Sequence, residues 1–464
     1  MSNFSVFEKI SLPGRYTRFL SYLSRYSLFL WLAYLLIVTG SRLSYVVRHW
    51  EDASGAEYFW IARGIATGHG FSIDADHRWL FMNPELTYPT DEYYPTAIEE
   101  PVYPHVMAFF LSTFGDYGEL GILVFQVLAL LATCIVVYFL GRKVFGVGVG
   151  MLASSLLITY SAVDTVAQER FGLAIPAGLV LALATFLIIW ILEKVSLYRG
   201  IIVGLLMGLF ALTYSVAMLF IPLAVVLVFF SARLSLAVRT KSAVAIALSA
   251  CLVISPWAYR NYQVFGHLVP VRTGMGLNFH HGNPILAGTF TSGDRACSDT
   301  FGSLWSAKNA REAVLLSKNG SKYTHPIFQR SYDCLERDVP EGYSSFNEVE
   351  RDKVYMQKSV EFILNEPHTF MALASNKLIA LYEGWRPSQT RISILALMGA
   401  LLAIKNNKAR ILVMSVVLFS LPYTLAVSWW YRYRYPIEPI LLILASYVLV
   451  FIVTKLKQIA ISSR

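Results

Sequence analysis

PHTFMALASNKLIALYEG, residues 367–384, is the stretch on which the topology of this chain turns. It is apolar enough to tempt a reading as a membrane span, which needs roughly 20 mostly apolar residues. Lys and Arg in short loops, however, stay on the cytoplasmic side. Counting this stretch as a crossing would put the cluster Lys405, Lys408 and Arg410 on the wrong side from every other short basic loop. The stretch therefore reads as a helix lying at the outer interface, with a full crossing as the alternative.

The rest of the chain supplies the frame for that argument. Its 464 residues are 56% hydrophobic and only 15% charged, with a mean hydropathy of +0.52, outside the balance of a soluble domain. Apolar runs occupy 26–44, 118–140, 147–163, 171–192, 199–214, 216–231, 242–258, 391–404, 411–428 and 436–454. Basic residues lie before the first run (Lys9, Arg15, Arg18, Arg25), in alternate loops (Arg142, Lys143; Lys194, Arg199; Arg233, Arg239, Lys241) and at the end (Lys455, Lys457, Arg464). The expectation is an all-α polytopic membrane protein with about ten transmembrane helices (10–12) and both termini cytoplasmic. No small-residue cleavage signature follows the first run, so it reads as an uncleaved span. The net charge of +9 is spread over the cytoplasmic loops and ends. That distribution excludes a nucleic-acid interface and fits contact with anionic membrane lipids.

Two regions remain outside, 45–117 and 259–367, both longer than ordinary connections and hence the place to look for function. They divide the chain into a membrane module (1–258) that contains the first loop, an extracytoplasmic cap (259–367), and a C-terminal part (368–464) with the interfacial helix and the last spans. Two juxtamembrane helices are expected in the first loop. One follows Asp52, with Phe59, Ala62 and Ala66 on one face and Gly68-His69-Gly70 to stop it; the other covers Val102 to Phe114. Cys134 and Cys251 fall in spans, whereas Cys297 and Cys334 share the second outer loop, where an oxidising compartment would permit a disulfide. No CxxC or His/Cys cluster marks a dedicated metal site.

Charged residues at the outer boundary narrow the chemistry. Glu51 and Asp52 follow the first span, and an acid there is most often simply solvated. Sugar transfer from a phosphate leaving group would use such an acid, since it needs a base for the acceptor and cations for the phosphate. This differs from the two-carboxylate arrangement of sugar hydrolases. Arg260, beside Asn261 at the outer end of a span, can snorkel to any lipid phosphate or bind a donor phosphate in a bidentate way. Arg432 and Arg434 run against the positive-inside trend, which favours phosphate binding over topology. Gly274, Gly276, Asn278, Gly282 and Asn283 fit turns near a ligand without Walker or Rossmann context, and adjacent His280 and His281 are poorly placed to chelate a metal.

Five stretches together resemble a known family. DASGAEYFWIARGIATGHGF (52–71) and PTAIEEPVYPHVMAFFLSTFG (95–115) are similar to the first outer loop of GT-C membrane glycosyltransferases, in the branch of protein O-mannosyltransferases and the lipid A aminoarabinose transferase, glycosyltransferase family 39-like. PWAYRNYQVFGHLVPVRTGMGLNFHHGN (256–283), NEPHTF from 365 and WWYRYRYPIEPILLILASY (429–447) follow in order. The resemblance implies a GT-C fold and an inverting transfer from a polyprenyl-phosphate-linked sugar to a lipid, glycan or protein acceptor in the cell envelope, outside the inner membrane. It implies Asp52 as catalytic base and Tyr58 as the tyrosine of the Asp-x-x-Tyr pattern. Glu169 would orient the acceptor or Asp52, or share a weakly bound divalent metal with it; no other cofactor is implied. Two departures stand out. Five residues separate Asp52 from Tyr58 where the family pattern has two or three, and Glu99-Glu100-Pro101 stands where the aminoarabinose branch has a lysine before its prolines. The competing class is a transporter or lipid-linked sugar flippase, which would place ionisable residues at mid-membrane. Here the spans are nearly free of them.

Overall fold

The computed structural model describes residues 14–50, 57–74, 93–160, 172–231, 234–283, 345–384, 387–426 and 433–462. The helices in chain order are α1 (Gly14–His49), α2 (Glu57–Ala66), α3 (Val102–Phe114), α4 (Gly118–Phe145), α5 (Val147–Tyr160), α6 (Ala174–Glu193), α7 (Leu197–Thr213) and α8 (Phe220–Phe229). They continue with α9 (Leu236–Phe265), α10 (Met275–Gly282), α11 (Glu348–Asn365), α12 (Pro367–Glu383), α13 (Pro387–Leu402), α14 (Asn407–Leu425) and α15 (Glu438–Ser462). Each of the ten apolar runs falls on one of these helices. Among the described residues, 6 stretches are long and apolar enough to cross a membrane: Ser27–His49, Val102–Phe145, Ala174–Glu193, Leu236–Phe265, Asn407–Leu425 and Tyr435–Ala460. The runs on α5, α7, α8 and α13 form helices shorter than a straight crossing needs.

Both helices expected in the first loop are present, as α2 and α3. The chain reverses between α3 and α4 at Gly115, whose φ of 53° lies in the left-handed region. A Cβ built on Gly118 would sit 2.7 Å from Leu111 Cα, and one on Gly121 equally close to the Phe110 ring, so α3 folds back against α4. Glycine sets a second close approach on α7, where Cβ atoms at Gly200 and Gly208 would each come within 2.8 Å of carbonyl oxygens of α9, those of Ser242 and Ala250. One departure from an all-helical chain is a small antiparallel ribbon, β1 (Ser72–Asp74) paired with β2 (Tyr93–Pro95), with Ile73 opposite Tyr94. Three-residue strands are too short to leave a periodic pattern in the sequence.

The bundle has two distinguishable ends. At one, Glu193 at the end of α6 lies 2.7 Å from both Lys143 of α4 and Lys408 of α14, so three of the basic loops meet there. At the other, a satellite core of Ile61, Phe71, Ile73, Ile98, Leu277 and Tyr355 joins α2, the ribbon, α10 and α11. Helix α12 belongs to this second end. Lys377 at its middle donates to Gly282 O at 3.0 Å and Leu425 O at 3.3 Å, and Leu381 and Tyr382 near its C-terminus accept from Arg434. The main core fills the bundle between the ends with residues such as Ile122, Val137, Ile188, Val203, Leu412 and Ile443.

Candidate active site

The connection from β2 to α3 reads TAIEEP, and every residue of it is buried. Its conformation is fixed from α11. The Glu348 carboxylate accepts from Thr96 Oγ1 at 2.6 Å, from Ala97 N at 3.0 Å and from the Thr273 hydroxyl, while Thr273 N donates to Ala97 O at 2.8 Å. Arg260, at the end of α9, braces the same connection with Nη1 donating to Thr96 O at 2.7 Å and Nη2 to Phe71 O at 2.8 Å, its guanidinium over the Trp257 ring. Asp352, also on α11, accepts from Leu277 N at 2.9 Å and so caps the start of α10. The segment 266–274 is held between these two acids.

This scaffold brings two acids and one arginine together. Glu100, fully buried, accepts from Tyr58 Oη at 3.1 Å and from Ser215 N at 2.7 Å. Arg272 Nη1 lies 2.7 Å from Glu99 Oε2 and 3.5 Å from Glu100 Oε2, with the arginine side chain 22% exposed. Burial pushes the Glu99 carboxyl up to about 8, with Arg272 opposing and Glu100 and Glu57 adding to the rise. Burial, Glu100 and Glu99 raise the Tyr58 phenol. Tyrosines line the surroundings: Tyr58 packs edge-on to Tyr103 at 5.8 Å between centroids, Tyr423 stacks on Tyr433 at 4.5 Å, and the Tyr214 and Tyr423 hydroxyls hydrogen-bond to each other. Gln126, buried on α4, donates to Tyr103 Oη at 2.6 Å and to Gly172 O at 3.1 Å. An arginine partly open to solvent, set among buried acids and aromatic rings, is equipped to receive an anionic group attached to an apolar or sugar moiety.

The residues expected from the sequence are distributed unevenly. Asp52, Glu169, Arg432, Cys297 and Cys334 lie outside the described residues. Tyr58 stands in the cluster itself. Arg260 has both terminal nitrogens on backbone carbonyls and positions the loop rather than facing an open site. Arg434 is completely buried: Nε donates to Glu438 at 3.0 Å, Nη1 to Leu381 O and Tyr382 O, and Nη2 to Gln389 O at 2.9 Å. This internal junction takes up the whole guanidinium and leaves no surface for a donor phosphate. Asn261 and Asn278 hold backbone, through Val269 O at 3.0 Å and Gly274 O at 2.7 Å. Asn283 ties α10 to α14 through Leu425 O at 2.8 Å and receives Lys377 Nζ at 3.1 Å. His280 is buried against Tyr355. Among the described residues no three His, Cys, Asp or Glu converge as a metal site, and Cys134 and Cys251 are free thiols.

Glu99, Glu100 and Arg272 escaped the sequence reading. The two glutamates were legible only as a departure from a family pattern, and Arg272 lies far from them in the chain, so nothing local paired them.

Residues 96–259 match the profile of the dolichyl-phosphate-mannose-protein mannosyltransferase family. That stretch begins at Thr96 of the site. No curated protein matches the chain. Among solved structures, an archaeal oligosaccharyltransferase, AglB from Archaeoglobus fulgidus, in complex with an inhibitory peptide and a dolichol-phosphate, matches with a TM-score of 0.51 at 12% identity over 93% of this chain and 51% of that one. The apo form of the same organism's oligosaccharyltransferase gives 0.50 at 14% identity, over 92% and 51%. The aminoarabinose transferase ArnT from Cupriavidus metallidurans is matched with a TM-score of 0.34 at 15% identity, over 92% and 78%. The chain thus spans about half the length of the oligosaccharyltransferase, with which it shares its fold.

Proposed function

We propose that this chain is a GT-C membrane glycosyltransferase that moves a sugar, with inversion, from a polyprenyl-phosphate carrier to an envelope acceptor. The single observation that carries the proposal is Arg272, a partly exposed guanidinium in a tyrosine-lined site at the end of the bundle opposite the basic loops. The dolichol-phosphate held by the archaeal oligosaccharyltransferase supports a lipid phosphate as the carrier.

In this reading Asp52 accepts the proton of the acceptor hydroxyl as its oxygen attacks the anomeric carbon, and the carbon–oxygen bond to phosphate breaks with both electrons leaving on the phosphate. Arg272 takes the negative charge that accumulates there, and Arg432 remains a second candidate for it. Glu169 orients Asp52 or the acceptor, or shares a divalent metal with Asp52. Arg260 and Arg434 serve as positioning residues of the walls. The ten apolar runs serve as spans, with both termini cytoplasmic and the site on the outer face of the inner membrane. Residues 1–258 form the membrane module, 259–367 a cap closed by a Cys297–Cys334 disulfide, and 368–464 the remainder.

The test is mass spectrometry of envelope glycolipids, surface polysaccharide and glycoproteins from cells with the wild-type protein, a deletion, or Asp52→Asn at matched membrane abundance. Loss of one sugar from one acceptor in both mutants is the expected result, and the mass difference defines the sugar class. No difference in any fraction would overturn the transferase reading.

A further inference from the structure

Sugar transfer from a phosphate carrier changes the charge of the carrier. It arrives as a phosphodiester with one negative charge and leaves as a monoester with about two at neutral pH. A site that only attracted phosphate would hold the spent carrier more tightly than the loaded one, and release would then limit turnover. The buried cluster contains a group placed to oppose this. Glu100 is completely buried, and both of its oxygens accept: Oε1 from Ser215 N, in the turn between α7 and α8, at 2.7 Å, and Oε2 from Tyr58 Oη at 3.1 Å. Its carboxylate is thus fixed in place, with Oε2 3.5 Å from Arg272 Nη1. The arginine is fixed as well. Nε donates to Thr273 O at 3.2 Å and Nη1 lies 2.7 Å from Glu99 Oε2, so Nη2 is the nitrogen without a partner among the described residues. A phosphate oxygen received on Nη2 stands on the order of 7 Å from the Glu100 carboxylate, too far for contact and near enough to feel its field.

We propose that Glu100 is a positioning residue that, from behind Arg272, sets the site's preference for the loaded carrier over the spent one. This rests on the reading of Arg272 as the group that receives the carrier's phosphate. Glu100 touches no ligand. Its tethered charge weakens the hold on a phosphate in proportion to the charge that the phosphate carries, so the dianionic monoester is opposed about twice as strongly as the monoanionic diester.

At that separation, with the arginine side chain 22% exposed, one unit of ligand charge is worth about tenfold in affinity at an effective dielectric between those of a protein site and water. Removing the Glu100 charge should therefore favour the monoester over the diester by about tenfold. This difference depends on the place of the one charge removed, whatever other charges face the ligand. A Glu100 that served packing alone would affect both forms of the carrier alike.

The experiment uses the full chain in lipid nanodiscs at pH 7 with two probes, undecaprenyl phosphate and its methyl ester, a diester that keeps the lipid and carries one charge as the loaded carrier does. Wild type is compared with Glu100→Gln, in which the amide keeps an acceptor for Ser215 N and a polar partner for Tyr58 Oη. The expected result is a rise of about tenfold in the affinity for undecaprenyl phosphate relative to its methyl ester. The comparison is repeated in a Glu99→Gln background, where the neighbouring acid cannot gain charge as Glu100 loses it, and the same relative rise is expected. Equal changes for the two probes, or a relative fall for the monoester, overturn the proposal. Glu100→Asp keeps the charge on a shorter side chain and should keep the wild-type ratio; a ratio like that of Glu100→Gln would assign the effect to packing and overturn it too. Where neither probe binds wild type, or both bind a folded Arg272→Met protein unchanged, the carrier reading has failed and this proposal with it. Binding that needs Arg272, with a ratio that Glu100→Gln does not move, leaves the carrier reading standing and removes Glu100 from it.

Discussion

Arg434→Leu separates a buried structural arginine from a phosphate ligand. The substitution removes the four hydrogen bonds that the guanidinium makes to Glu438, Leu381 O, Tyr382 O and Gln389 O. It leaves the Glu438 carboxylate fully buried with the Gln389 amide, 2.9 Å away, still donating to it. Removing one member of a buried ion pair costs about 3–5 kcal/mol, because the other charge stays desolvated. The three carbonyls lose donors as well, but they share one network and their costs do not simply add. We expect a loss of about 4 kcal/mol and a fall in the unfolding temperature on the order of 5–10 °C in detergent. The double variant Arg434→Leu with Glu438→Leu should recover most of that loss, since it removes the stranded charge too. Thermal unfolding followed by the fraction that remains monodisperse on size exclusion reads both variants. An unchanged unfolding temperature for Arg434→Leu, together with lost binding of undecaprenyl phosphate, would refute the structural assignment and return Arg434 to the donor site.

Two other perturbations probe the same framework. Glu348→Ala strands the Thr96 and Thr273 hydroxyls and the Ala97 N–H, so it should cost about 2–4 kcal/mol in thermal unfolding, and it should weaken undecaprenyl phosphate binding, because the segment that carries Arg272 loosens; Glu348→Gln, which retains an acceptor, should restore part of both. Lys377 is fully buried on carbonyl-type oxygens, and burial lowers its ammonium to about 7. Because the unfolded chain keeps the proton up to about pH 10, stability should rise between pH 7 and 10 as the folded state alone is deprotonated. Lys377→Met should flatten that rise, and an unaltered pH profile in the variant would assign the dependence elsewhere.

The sequence carried the architecture further than the site. Among the described residues, hydropathy located the long apolar helices, because a helix that crosses a membrane needs a run of roughly 20 mostly apolar residues. The basic loops predicted a common end, which Glu193 bridges through Lys143 and Lys408. Among the described residues, α5, α7, α8 and α13 also read as spans by composition and are shorter than the 6 stretches long enough to cross a membrane by length alone. Tyr58 was legible because it sits in a local pattern. Arg260 and Arg434 were legible as unusual outer arginines, but the sequence could not say that their partners are backbone carbonyls, which carry no residue identity. The pairing of Arg272 with Glu99 and Glu100 depends on α11 and the 266–274 segment folding over the first loop. Such long-range pairing leaves no trace in spacing or periodicity.

The most direct test of the central claim, that Arg272 receives the phosphate of a polyprenyl carrier, is the affinity of the purified protein for undecaprenyl phosphate in nanodiscs at pH 7, compared between wild type and Arg272→Met. Loss of a charge-assisted contact to phosphate should weaken binding by between about tenfold and a hundredfold. Unchanged affinity in a folded Arg272→Met protein would contradict the account and move the donor phosphate to another part of the molecule.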